Sequence, residues 1–109
     1  MAYDDELANR IRTLLAGEPG VTEKRMFGGL AFLIGGNMAV SASGQGGLLL
    51  RIDPDDSDAL AAEPHAERAV MRGRVMDGWL RVDPGGLGAS ELERWVGHGV
   101  AYARSLPPK

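Results

Sequence analysis

Residues 22–52 read TEKRMFGGLAFLIGGNMAVSASGQGGLLLRI, in which short apolar runs are separated by glycine and asparagine. The apolar runs are residues 26–27, 30–34, 38–43 and 48–52. Gly35-Gly36-Asn37 and the SGQGG stretch at 43–47 predict hairpin connections, because a positive φ is cheap only for glycine or asparagine. The simplest interpretation is an antiparallel meander of three strands, with Gly28-Gly29 marking a bulge or bend in the first strand region.

The glycine pairs near Lys24 and Arg25 also raise the question of a phosphate-binding loop. A Walker loop needs GxxxxGK[ST], and the chain contains no Gly-Lys pair. A dinucleotide fingerprint needs GxGxxG between a strand and a helix, and residues 44–49 and 86–91 both lack the third glycine. Hairpins and bends therefore explain these glycines better than a phosphate cradle, and no cofactor is predicted.

Helical patterns lie on both sides of this region. The first helix is predicted from apolar residues at helical spacing, namely Tyr3, Leu7, Ile11, Leu14 and Leu15. The last helix has a similar stripe, namely Leu92, Trp95, Val96, Gly99, Val100 and Ala103. Ser90–Glu93 matches a capping box and predicts where that helix begins, and Gly99 predicts close packing against another element. A short helix is predicted after Asp53-Pro54.

Two more strands are predicted between the short helix and the last one. Val70-Met71 and Val75-Met76 indicate strand structure with a turn near Gly73, whose placement the pattern leaves open. Asp77 to Val82 is a clearer strand. The order α-β-β-β-α-β-β-α predicts one α+β domain over residues 1–109, with a mainly antiparallel sheet and helices on one face.

The composition excludes several classes of site. The chain has no cysteine, which excludes disulfides, thiolate metal sites and cysteine nucleophiles. His65 and His98 have no partner at a metal-ligand spacing, and no GxSxG elbow is present. No catalytic or metal-binding residue is therefore predicted, and we expect the protein not to be an enzyme. The N-terminus lacks an apolar h-region and residues 30–34 are too short to span a bilayer, so we expect a cytoplasmic protein without a membrane partner.

Charge is unevenly distributed along the chain. The formal net charge is −3, which argues against a generic nucleic-acid binder. Residues 24–52 nevertheless carry three basic residues and no acidic one. Because this block coincides with predicted strands, we expect the sheet to be more basic than the whole protein.

Two predicted strands end in similar sequences, LLLRIDP at 48–54 and GWLRVDP at 78–84. Side chains alternate between the two faces of a strand, so one face of each carries apolar core residues and the other carries an arginine. We predict that the second face is a partner-binding surface, with a lysine and an arginine at its edge. The predicted contact residues are Leu49, Arg51, Trp79, Arg81, Lys24 and Arg25.

Three interpretations of this surface remain open. In the first, Trp79 packs under a loop and the arginines pair with Asp53, Asp77 or Asp83. In the second, the surface binds a protein, including a second copy in a homodimer, because aromatic residues and arginine are enriched at interfaces. In the third, it binds nucleic acid or a small ligand through stacking and basic contacts.

Five segments together resemble the TfoX/Sxy N-terminal domain family. They are VTEKRMFGGLAF (21–32), GGNMAV (35–40), LLLRIDP (48–54), GRVMDGWLRVDP (73–84) and LERWVGHGVAYARSL (92–106). They run over nearly the entire chain in the right order. The resemblance implies a two-layer α-β3-α-β2-α fold similar to secretion-chaperone-like domains, in which helices pack on one face of the sheet.

The resemblance also implies a regulatory role. TfoX proteins are named for regulating natural competence, a role linked to transcriptional co-activation, and the family supplies no established catalytic residues. Full-length members add a C-terminal domain resembling helix-hairpin-helix modules, whereas this chain ends at Lys109 and is expected to be a stand-alone N-terminal domain. We therefore expect a non-enzymatic binding module. The alternatives are a nucleic-acid or transcription-complex accessory, and an unrecognised enzyme or small-ligand binder.

Overall fold

The computed structural model describes residues 4–26, 28–71 and 73–108. Tyr3 and Phe27, which the sequence assigns to the first helix and the first strand region, lie outside these ranges. Within them the α-helices are α1 (Asp5–Leu15), α2 (Ser57–Ala61) and α3 (Ala89–Ser105). The strands are β1 (Val21–Met26), β2 (Gly29–Ile34), β3 (Asn37–Ala42), β4 (Leu48–Arg51), β5 (Ala66–Met71) and β6 (Arg74–Val82).

The six described strands form one antiparallel sheet in the order β1-β2-β3-β4-β6-β5. The predicted α+β class, with helices packed on an antiparallel sheet, is confirmed. The sheet has one strand more than the α-β3-α-β2-α layout counts. The additional strand is β1, which lies at the sheet edge with residues 22–25 exposed. An edge strand of this kind has little apolar alternation, so the sequence pattern did not resolve it.

The glycine-rich segments join these strands. Ile34 pairs with Asn37 and the amide of Ser43 donates to the carbonyl of Gly47, which confirms the two predicted hairpins. Met26 pairs with Gly29, and Gly28 between them has a φ of 76°. Gly28 therefore lies in the β1–β2 turn and Gly29 begins β2, so the pair does not mark a bulge within a strand.

The main core lies between the helices and one face of the sheet. Asp4 caps α1 by accepting from two backbone amides, and the buried residues of that helix face the sheet. Trp95 of α3 is 1% exposed in the same core. A Cβ added to Gly99 of α3 would lie 2.6 Å from the carbonyl oxygen of Ala39, which confirms the predicted close approach.

The capping box predicted at Ser90–Glu93 is wrong. Helix α3 begins at Ala89, its N-cap is Gly88, and no side chain caps it. The hydroxyl of Ser90 contacts the adjacent carboxylate of Glu91 and not a free backbone amide. The sequence motif is present, but the N-cap is Gly88, so the chain enters the helix two residues too early for Ser90 to occupy the cap.

The placement that the sequence left open between Val70 and Met76 is a hairpin. Val70 pairs with Val75, and β6 then continues without a break to Val82. The register shifts by three residues on β6 between the Ala69 and Arg68 pairs, at a bend centred on Gly78 with a φ of 83°. An irregularity of this kind bends the strand that contains it.

The face of the sheet opposite the main core carries an apolar cluster whose described members all lie on strands. We call this side the open face. Directly paired residues of antiparallel strands share a face, so the pairing defines a row that crosses all six described strands. The row consists of Lys24, Ala31, Ser41, Leu49, Arg81 and Glu67.

Candidate functional site

The centre of the open face is apolar. Four members of its cluster are buried, namely Ala31, Met38, Leu49 and Ala69. Met26, Leu33 and Trp79 pack against them and are only partly buried. Leu49 is 7% exposed, so it supports its neighbours and offers little area of its own. Trp79 is therefore the largest apolar side chain of this cluster that a partner can touch.

Arg51 lies beside Trp79 on the open face, and its guanidinium makes cation–π contacts with two aromatic rings. The guanidinium carbon is 5.6 Å from the centroid of the Trp79 ring and 5.5 Å from that of Tyr102 in α3. Contacts of this kind contribute about 0.5–1 kcal/mol each at accessible sites. Arg51 forms neither a hydrogen bond nor an ion pair with any other described residue. Its N–H donors are therefore free to bind a carboxylate or phosphate of a partner.

Arg81 is fixed by the loop between β3 and β4. It donates to the side-chain oxygen of Gln45 at 2.7 Å and to the carbonyl of Gly46 at 3.0 Å. A longer contact of 3.4 Å reaches the hydroxyl of Ser43. Within the described ranges neither Arg51 nor Arg81 forms the ion pairs with Asp53, Asp77 or Asp83 that the first interpretation requires. Asp77 pairs with Arg68 instead.

The two basic residues predicted at the edge of the surface point to opposite sides of β1. Lys24 pairs with Ala31 and lies exposed on the open face. Arg25 pairs with Leu30, whose side chain belongs to the main core, so it lies on the helix side. The structure thus gathers Leu49, Arg51, Trp79 and Arg81 on one face, as predicted from alternation. Lys24 lies at the edge of that face and Arg25 lies outside it.

Two ion pairs on the helix side shift pKa values. The Arg12 guanidinium donates to Glu23 and lowers the pKa of that carboxyl below its ordinary range. The Asp58 carboxylate beside Arg68 raises the pKa of the guanidinium. Neither pair belongs to the open face, so the charges there are not set by these interactions.

Comparison with known proteins places the chain in a family. The family model described as the TfoX N-terminal domain matches residues 13–103. The chain belongs to the TfoX N-terminal domain family. No curated protein and no solved structure gives a significant match. In this TfoX N-terminal domain the matched span begins within α1 and ends within α3, so it includes the complete sheet and Tyr102.

Sequence reasoning missed two residues at the open face of this TfoX N-terminal domain, one that contacts Arg51 from α3 and one on the sheet itself. Tyr102 reaches Arg51 from α3, and its position next to Ala103 of the predicted buried stripe was the available signal. Glu67 ends the cross-strand row at the β5 edge. Its place in the row depends on which residues of β5 and β6 pair. The register between these strands shifts near Gly78, so the pairing partners cannot be found by counting residues from the hairpin turn.

We also considered a cleft, metal-binding groups and membrane-spanning helices in this TfoX N-terminal domain. A cleft of about 190 Å³ between the segment after β4 and α3 is lined by residues that include Asp53, His98 and Tyr102. In residues 4–26, 28–71 and 73–108, no group of three His, Asp or Glu side chains is arranged to hold a metal ion. Over the same residues, none of the helices has the length and apolar character needed to cross a membrane. We therefore take the open face, with its apolar cluster and the Trp79–Arg51 pair, as the candidate site.

Proposed function

We propose that this TfoX N-terminal domain is a non-enzymatic binding and regulatory module that acts by protein–protein contact through its open face. The observation that supports this most strongly is the pair formed by Trp79 and Arg51. Trp79 is partly exposed at an apolar cluster, and Arg51 carries a charge that no described carboxylate neutralises. Tryptophan and arginine are the residues most enriched where interfaces derive their binding energy.

The stacking of Arg51 restricts its side chain before a partner binds, which lowers the entropy cost of association. Immobilising a long side chain on association costs about 0.5–1.5 kcal/mol, and a guanidinium already held between two rings avoids part of that cost. Arginine also presents a planar fork that matches a carboxylate. We therefore expect a partner surface with an apolar patch that covers Trp79 and a hydrogen-bond acceptor within reach of Arg51.

The proposal is tested by comparing the proteins retained by immobilised wild type, Trp79→Ala and Arg51→Ala. The matched control is Arg94→Ala, because Arg94 also lies over a tryptophan, 4.5 Å from the Trp95 ring, but on the helix side. We expect both open-face variants to lose at least about tenfold in partner affinity, which corresponds to about 1.4 kcal/mol. The control should retain wild-type binding.

Thermal unfolding of each variant shows whether a loss of binding reflects a loss of fold. If folded Trp79→Ala and Arg51→Ala retain the same partners with wild-type affinity, the open face is not the contact surface. If binding falls equally in all three variants, the effect is general to the protein, and the proposed surface is equally excluded.

A nucleic-acid or transcription-complex accessory is the second candidate, because Lys24, Arg51 and the Trp79 ring lie on the same face. Basic groups bind phosphates and an aromatic ring can stack on a base. Direct binding of this kind must weaken steeply as salt is added, since counterions are released from the phosphates. Fluorescence anisotropy of labelled oligonucleotides at low and high salt tests it. Absence of binding at low salt removes this candidate.

A further inference from the structure

We propose that the partner of the open face is a second copy of this chain, packed sheet against sheet. The inference rests on the proposed function because it uses the same surface. The cross-strand row on this face carries opposite charges at its two ends. Lys24 lies at the β1 edge and Glu67 at the β5 edge, and both are exposed. Five strand spacings of about 4.8 Å separate them by about 24 Å.

The charges select one of two possible symmetries. Two identical sheet faces that pack with their strands aligned are related by a twofold axis that runs either across the strands or along them. An axis across the strands places β1 over β1 of the second copy, so Lys24 meets Lys24 and Glu67 meets Glu67. An axis along the strands places β1 over β5, so Lys24 meets Glu67 twice. Like charges oppose association and unlike charges favour it, so the axis runs along the strands.

The same rotation decides which residues between the two ends face each other. The rotation reverses the row, so that the second position faces the fifth and the third faces the fourth. Ala31 therefore faces Arg81 of the second copy, and Ser41 faces Leu49. In the next row Leu33 pairs with Met38, and Arg51 pairs with Trp79. The rotation brings Leu33 opposite Trp79 of the second copy, and both are partly exposed members of the apolar cluster. It also brings Met38 opposite Arg51 of the second copy, and no like charges among the named residues of these two rows face each other.

The size of the face limits how much surface a dimer can bury. Six strands about 4.8 Å apart and about 20 Å long give a flat area of roughly 500 Å² per copy. A stable interface of standard size buries about 800 Å² per partner. We therefore expect a dimer that dissociates on dilution, so the association has to be measured over a wide range of protein concentration.

The test is sedimentation velocity on the wild type, Lys24→Glu, Glu67→Lys and the double variant that carries both changes. Each single change converts two attractive pairs into two repulsive ones, so the dissociation constant should rise at least about tenfold. The double variant restores an attractive pair at both ends. Its dissociation constant should return to within about threefold of the wild-type value.

The matched control is Arg25→Glu. Arg25 is the neighbour of Lys24, undergoes the same change of charge and faces the helix side. Its dissociation constant should stay at the wild-type value. Thermal unfolding of every variant confirms that each is folded before its dissociation constant is interpreted.

Three results would overturn the inference. They are a wild type that stays monomeric at every concentration, single variants that dimerise as tightly as the wild type, and a double variant that dimerises no better than the singles. A monomeric wild type that still captures another protein through Trp79 contradicts the self-association and leaves the proposed function standing. A dimer that forms equally well with Trp79→Ala contradicts both.

Discussion

Gly97 and Gly99 lie two residues apart in α3, but their surroundings differ. A Cβ added to Gly97 meets no atom within 4 Å, whereas one added to Gly99 lies 2.6 Å from the carbonyl oxygen of Ala39. Ala39 is the extra residue of β3 at a register shift, because Phe32 pairs with Val40 and Leu33 pairs with Met38. The strand irregularity and the glycine together allow α3 to approach the sheet closely.

We therefore expect alanine to have opposite effects at the two positions. Gly97→Ala should raise the free energy of unfolding by about 0.5–1 kcal/mol, because it removes backbone freedom from the unfolded chain and fits the helix. Gly99→Ala should lower it by about 1–3 kcal/mol, because the added methyl overpacks the contact with Ala39. Urea unfolding of both variants checks the prediction. Equal shifts in the same direction would show that the contact at Gly99 is not tight.

Glu23 gives a prediction for pH dependence. Its pKa is lowered by the hydrogen bond from Arg12, so the folded value lies below the unfolded one. The stabilisation is then fully present above the unfolded pKa of about 4.3 and is lost as the pH falls through the folded pKa. Because the pair is accessible to solvent, Glu23→Gln should cost at most about 0.5 kcal/mol at neutral pH.

The measurement is urea unfolding of the wild type and Glu23→Gln at neutral pH and at pH values below the ordinary glutamate pKa. The two proteins should differ at neutral pH and converge in acid. Glu93→Gln is the control, since Glu93 is exposed and forms no ion pair with another described residue. A difference for Glu23→Gln that persists unchanged in acid contradicts the assignment.

At the scale of elements, the bend in β6 joins three parts of the chain. The amide of Gly78 donates to the hydroxyl of Ser57 in α2 at 2.8 Å, and its carbonyl accepts from the amide of Ile52 at 2.8 Å. Ser57 is buried at this point. The contact therefore fixes α2 and the end of β4 to the strand that carries Trp79.

Ser57→Ala should destabilise the protein by about 1–3 kcal/mol, because it leaves the buried amide of Gly78 without its acceptor. Faster hydrogen exchange at the Gly78 amide should accompany the loss. Ser90→Ala is the control, since Ser90 is exposed and should change stability by less than about 0.5 kcal/mol. Unchanged exchange at Gly78 in Ser57→Ala would mean that the hydrogen bond does not hold the bend.

The elements that could be predicted are those with a strong repeating pattern. The apolar stripes of α1 and α3 and the glycine hairpins were sufficient for the fold class. The sequence does not reveal strand β1, because residues 22–25 are exposed and polar and the pairing of this strand with β2 is a tertiary property. The start of α3 was misplaced because a capping motif acts only if the chain enters the helix at that residue.

At the scale of the whole molecule, alternation was enough to bring Leu49, Arg51, Trp79 and Arg81 to one face. It was not enough to predict what each one contacts. The stacking of Arg51 on Tyr102 depends on where α3 crosses the sheet, and the charge opposite Lys24 depends on the register across all six described strands. Both are long-range features that no local pattern encodes.

The open face makes the accessibility of tryptophan a direct reporter of assembly. The chain has two tryptophans, Trp79 on the open face and Trp95 in the main core. Trp95 is 1% exposed, so quenching of the wild type by acrylamide reports on Trp79 without any substitution. Fluorescence lifetimes make the comparison independent of protein concentration.

The central claim is that the open face binds a second copy of the chain and covers Trp79. The decisive measurement is the acrylamide quenching constant of the wild type as protein concentration rises from well below to well above the dimer dissociation constant. We predict that the constant falls as the dimer forms, because Trp79 becomes less accessible. A quenching constant that stays the same over the whole range would contradict the claim.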